Sequence, residues 1–107
     1  MNCHNRTVFS LEEIREHDDP EGKGFWVIVD SYVLDLTAFV RNHPAGARKI
    51  LQRRKKSLDI APNFLDHFSH TVRTFRDACR KHDSTGEPVT FRFAEVEDRV
   101  HLIGKVR

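Results

Sequence analysis

Two β-rich runs separated by two turn-forming residues constrain this chain more than any other feature. Trp26-Val27-Ile28-Val29 and Tyr32-Val33-Leu34-Asp35-Leu36 flank Asp30-Ser31, a pattern that predicts a hairpin. Thr37 then stands where it would cap a one-turn helix through Ala38, Phe39 and Val40. That helix should stop at His43-Pro44, because the residue before a proline is pushed out of the helical region. The loop continues as Ala45-Gly46, so a histidine stands on restrained backbone beside residues of little bulk. Such a loop lets a flat ligand approach the backbone closely.

Other segments fill in around this one. Ser10-Leu11-Glu12-Glu13 reads as a capping box and predicts a helix over about 11–17. A second helix is expected over about 47–54, burying Ile50 and Leu51, and Pro62 is placed to open another that carries Phe64. Val72, Phe75 and Cys79 recur at helical spacing, predicting a helix that ends near Asp83-Ser84-Thr85-Gly86. Val89, Phe91 and Phe93 alternate with polar residues as in a strand, and Val100-His101-Leu102-Ile103 suits another. Short helices in the middle with strands at both ends indicate an α+β fold.

At 107 residues the chain makes one domain, 1–107, with its core expected over about 7–86 and 87–107 as a C-terminal extension with room for strands. Apolar residues at 38% and charged residues at 32% place it well outside the disordered regime. No apolar run approaches the ~18 residues of a membrane span, and no signal-peptide pattern opens the chain. Cys3 and Cys79 do not make a disulfide framework. A soluble, reduced, cytoplasmic monomer is therefore expected.

The net charge of +2 hides an uneven distribution. Six of the sixteen acids fall within 12–21, and none lies between Asp35 and Asp59, where seven bases do. A solvated face and a docking surface for an acidic partner, anionic lipid or nucleic acid are both open readings.

Of seven histidines, His4, His17, His82 and His101 sit among polar residues or near the ends and read as surface side chains. His43 is different, and so are His67 and His70, which lie among Phe64, Leu65 and Phe68. Spacing alone leaves three readings open. These are a haem held between histidines of two loops, histidines satisfied in a core, and a zinc site shared with Cys79.

The chain resembles cytochrome b5. The resemblance runs through Phe9-Ser10-Leu11-Glu12-Glu13-Ile14, Trp26-Val27-Ile28-Val29, Val33-Leu34-Asp35-Leu36-Thr37-Ala38-Phe39 and His43-Pro44-Ala45-Gly46, in that order and at that family's spacing. Asp59-Ile60-Ala61 followed by Phe64 is similar to the stretch that leads to the family's second haem ligand. What this implies is a small mixed sheet, short helices forming a haem pocket, and one b-type haem per chain held by two axial histidines. His43 would be the first ligand. His67, 24 residues on, keeps the family's common separation, whereas the ungapped register through Phe64 and the following Thr71 favour His70, 27 residues on. Pro44 and Gly46 would line the loop, with Phe39, Ile50, Leu51, Phe64, Phe68, Val72 and Phe75 as pocket walls. The family's His-Pro-Gly-Gly stands here as His43-Pro44-Ala45-Gly46, a conservative change if the second glycine's backbone angles matter more than the first's.

Two imidazoles would leave iron with no open position for substrate, so the resemblance implies electron transfer and no catalysis. With no flavin or molybdenum domain and no membrane anchor, the chain would meet redox partners by diffusion. Family members commonly present acidic helices to basic partners. The bases at 48–56 here imply an acidic-surfaced reductase or acceptor instead, and no nucleic-acid reader motif is present. A non-redox haem- or ligand-binding module of the same fold, of the membrane-associated progesterone receptor type, is the alternative, as is an anionic-surface binder using 48–56.

Overall fold

The hairpin forms because Asp30 and Ser31 both take left-handed backbone angles, φ +52° and +73°. That pair matches the two-residue turn whose twist suits the flanking strands. In this computed structural model, which describes residues 8–62, 69–92 and 99–107, the strands it joins are β3 (Gly24–Val29) and β4 (Tyr32–Asp35). Before them come β1 (Val8–Phe9), α1 (Leu11–Glu16) and β2 (Asp18–Asp19). After them come α2 (Thr37–Asn42), α3 (Arg48–Lys56), α4 (Ser69–Thr85), β5 (Val89–Arg92) and β6 (Arg99–Val106). The sheet order is β1-β6-β4-β3-β2, with β5 also paired to β6. Only the β1–β6 pair is parallel among the described strands.

Alternation along β3 divides the interior in two. Phe25, Val27 and Val29 enter a large core with Leu34, Leu36, Phe39, Ile50, Ile60, Phe75, Cys79, Phe91 and Leu102. Ile28 turns to the opposite face and packs with Phe9, Ile14, Val33 and the half-buried Trp26. A sheet covered on both faces explains why β3 reads as a near-continuous apolar run rather than a half-polar one.

Four expectations change. Stretch 87–107 is no appendage: β6 lies inside the sheet, pairing β4 as well as β5 and β1, and its Val100 and Leu102 are fully buried. Thr37 is not the cap of α2, whose N-cap is Leu36 without a side-chain bond. The Thr37 hydroxyl is engaged elsewhere: it accepts the Phe25 N–H (2.9 Å) and donates to Asp35 Oδ1 (2.5 Å), and the same carboxylate accepts the Thr37 N–H (3.0 Å). His82 is only 4% exposed, its Nδ1 2.7 Å from the Glu87 carbonyl oxygen, so it is a core residue and not a surface one. His17 is half-buried and stacks on Trp26 at 3.6 Å.

Elsewhere pattern and structure agree. Ser10 accepts the Glu13 N–H at 3.1 Å to start α1. The long helix α4 runs out at Gly86, whose φ of +74° a side chain would resist. The helix expected to open at Pro62 and carry Phe64 falls largely outside the described residues.

Candidate functional site

The His43 loop is built by two helix ends. Pro44 halts α2, and His43 becomes its C-cap, donating its N–H to the Phe39 carbonyl at 2.8 Å. The His43 carbonyl in turn accepts the Ala47 N–H at 2.9 Å, tying the loop to the start of α3. Backbone bonds on both sides therefore fix where the imidazole begins. Its ring lies 5.4 Å from that of Phe39, tilted by 30°, and the side chain is half-buried while Phe39 is 3% exposed.

Pro44, Ala45 and Gly46 are exposed. Neither Ala45 nor Gly46 has a left-handed φ, so alanine is accommodated in the third position of the motif without backbone strain. The expectation that the second glycine's angles matter is not met, since Gly46 has no left-handed φ. A Cβ on Gly46 would stand 3.7 Å from the His43 carbonyl oxygen and 3.8 Å from Phe39 Cζ, in ordinary contact with both.

Behind the loop, Phe39, Ile50 and Phe75 share the large core, and Leu51 packs against it half-buried. Phe75 reaches across to the sheet, edge-on to Tyr32 at 6.1 Å and tilted against Phe91 at 6.2 Å. Val72 is half-buried, one turn earlier on α4. The backbone of His70 lies in the first turn of that helix. Phe64, His67 and Phe68 lie outside the described residues. The structure thus brings His43, Phe39, Ile50 and Leu51 together through α2 and α3, with α4 supplying Phe75.

Among the described residues no group of three or more His, Cys, Asp or Glu could hold a metal ion; His67 and the side chain of His70, two of the four residues of the zinc reading, lie outside them. Burial pushes the Cys79 thiol up to about 11, with nearby Arg76 opposing.

The charges sort into two sets. Arg41 pairs with Glu21 (3.4 Å), Arg76 with Asp30 (2.9 Å) and Arg80 with Asp77. Arg48, Lys49, Lys55 and Lys56 on α3 are exposed and make no ion pair among the described residues. Arg54 was counted among the solvated bases, yet it is 8% exposed. Its spacing from Ala47, Ile50 and Leu51 puts it on the apolar stripe of α3, the signal that distinguishes it from its neighbours.

Comparison with known proteins bears on what this site holds. The profile of the family described as "Cytochrome b5-like Heme/Steroid binding domain" matches residues 10–106. Cytochrome b5 of Saccharomyces cerevisiae is 41% identical over 71 residues, covering 64% of this chain and 56% of that protein. An L-lactate dehydrogenase (cytochrome) of the same organism is 33% identical over 70 residues, 60% of this chain and 12% of the enzyme. An NADH nitrate reductase of Lotus japonicus is 41% identical over 44 residues, 41% of this chain and 5% of the enzyme. The chain thus spans little more than half of the first relative and a small part of the other two. No solved structure matches it.

Proposed function

The chain belongs to the cytochrome b5-like haem- and steroid-binding family, and on that premise we propose that it carries single electrons on a b-type haem held by His43 and His70. The observation that carries this reading is the His43 loop: a histidine whose backbone is fixed by bonds on both sides, with its ring beside the buried Phe39 ring. The residues present fit the group. A neutral imidazole is a good iron ligand, and Phe39, Leu51, Val72 and Phe75 are of the apolar kind that lines a macrocycle. When bound, the haem supplies a reversible one-electron couple. His43 and His70 would each give one ring nitrogen to iron and orient through the other. Phe39 and Phe75 would exclude water. His70 is preferred to His67 because the ungapped register from Asp59 to Phe64, carried forward, reaches Ser69, one residue short of His70, and because Thr71 follows.

Recombinant chain reconstituted with haem should bind one equivalent and show a low-spin spectrum that sharpens on dithionite reduction. His70→Ala should convert it to high-spin or lose the haem, while His67→Ala leaves it low-spin. The opposite pattern would exchange the two ligands, and a low-spin spectrum surviving in His43→Ala would refute the site.

The partner belongs to the same proposal. The exposed bases Arg48, Lys49, Lys55 and Lys56, which make no ion pair among the described residues, lie on the helix that follows the His43 loop, so this surface is positive and would steer an acidic-surfaced redox protein. Electron transfer with an acidic partner should slow as salt rises, since the Debye length is already about 10 Å at 0.1 M. Faster reaction with a basic partner, or no salt dependence, would refute this docking face. Among the described residues no helix is long and apolar enough to cross a membrane. The proposed setting is the cytoplasm, in keeping with the free thiol of Cys79.

A further inference from the structure

On the side of α3 that meets α1 and β2, a cleft of about 480 Å³ is lined by Arg15, Asp18, Phe25, Leu51, Arg54, Lys55, Lys56, Ser57 and Leu58. Its chemistry divides into a floor and a rim. Phe25 and Leu51 belong to the large core and Leu58 to the smaller one, so the floor is apolar. Arg15, Lys55 and Lys56 are exposed at the rim, where Asp18 is the one acid among the lining residues.

Arg54 makes the cleft unusual. A guanidinium 8% exposed would ordinarily be matched by a carboxylate, because an unpaired buried charge is costly. Here its partners are backbone carbonyls: Nε donates to Trp26 O (2.9 Å), and one Nη donates to Ile14 O (2.9 Å) with longer contacts to Arg15 O and His17 O (3.4 Å each). The other, Nη1, makes no hydrogen bond among the described residues. The group also lies over the Phe25 ring, 5.9 Å from its centre. Burial pulls the Arg54 pKa down, while Asp18 opposes that shift and Arg15 adds to it. Carbonyls fix the fork in place without neutralising it, and Lys55 and Lys56 add charge of the same sign.

We propose that this cleft is a binding site for a small organic anion, a phosphate or carboxylate on a flat apolar body, with the anion at Arg54 and the rim bases and the body on the half-buried Leu51 and Leu58. A planar guanidinium suits either anion, and the volume suits a ligand of that size. The assignment does not rest on the haem reading: the cleft's lining does not include His43, and of the proposed haem walls it shares only Leu51.

The test is a titration of the isotope-labelled chain with phenyl phosphate, benzoate and inorganic phosphate, read by amide and arginine Nε–H shifts. Saturable shifts at Phe25, Leu58 and Arg54 are expected with at least one of the two aromatic anions, and the tighter of them identifies the preferred head group. Neutralising the rim with Arg15→Gln and Lys55→Gln should weaken binding about tenfold, and Asp18→Asn should tighten it about threefold. All three side chains are exposed, and an amide spectrum unchanged away from the substituted residue checks that each variant is folded. Linear shifts scattered over the surface, or equal affinity in all variants, would overturn the site. Inorganic phosphate binding as tightly as phenyl phosphate would overturn the assignment of an organic ligand.

Discussion

Two histidines show how differently the two halves of this molecule are organised. His82, near the end of α4, is 4% exposed, bound through Nδ1 to the Glu87 carbonyl and set edge-on to Tyr32 at 6.3 Å. Its neighbourhood is the sheet side, where β6 packs Leu102 against the helices and the Asp35–Thr37–Phe25 bonds lock β3 to α2. His43 lies at the opposite extreme, half-buried on an exposed loop, with its position set by its own backbone bonds. Burial therefore marks the structural histidine. The one suited to a ligand is recognised by restrained backbone and small neighbours.

Substitutions should separate the two regions in order of effect. His43→Ala should abolish the low-spin haem spectrum altogether, whereas His82→Ala should keep that spectrum and cost about 1–3 kcal/mol of stability through an orphaned carbonyl. If His82→Ala destroyed the spectrum instead, the division between the regions would collapse. Leu102→Ala tests whether β6 belongs to the core. A fully buried leucine lost from the middle of the sheet should cost about 2–5 kcal/mol in urea unfolding. A loss below about 1 kcal/mol would return 87–107 to the status of an appendage.

Thr37→Val keeps the shape and removes the hydroxyl, leaving the half-buried Phe25 N–H without its acceptor. The expected cost is about 1–3 kcal/mol, and a neutral result would show that water replaces the bond. The smallest effect concerns pH. Burial raises Cys79 to about 11 from its ordinary 9.0, and the bond to Asp83, followed by burial, raises Tyr32. Both groups hold their protons more tightly in the fold. Their contribution is complete below about pH 9 and is lost as pH climbs towards 11 and beyond. Stability measured from pH 8 to pH 11 should fall, and Cys79→Ala should flatten that limb. An equal slope in the variant would assign the fall to other groups.

Much of this was legible in the chain. Asp30-Ser31 announced the hairpin through residues that tolerate left-handed angles, Ser10 announced α1 through its cap, and His43-Pro44 announced the end of α2. Each is a local rule, decided by a residue and its near neighbours. The His43 loop was legible for the same reason, as was the apolar stripe of Val72, Phe75 and Cys79. Less legible were Thr37, whose hydroxyl joins a strand twelve residues earlier, and His82, whose burial depends on the turn to Glu87 and on Tyr32.

The sequence by itself determined the short elements, the loop that presents His43 and the family to which the chain belongs, because backbone sterics and side-chain periodicity act over a few residues. Only the tertiary structure decided that β6 enters the sheet beside β4, that Arg54 is buried while Lys55 and Lys56 remain exposed, and that a positive cleft opens against α1. Those outcomes depend on which surfaces meet. A charged side chain on an apolar stripe is buried only where the facing backbone offers carbonyls to receive it, and here Ile14 and Trp26, far away in sequence, supply them.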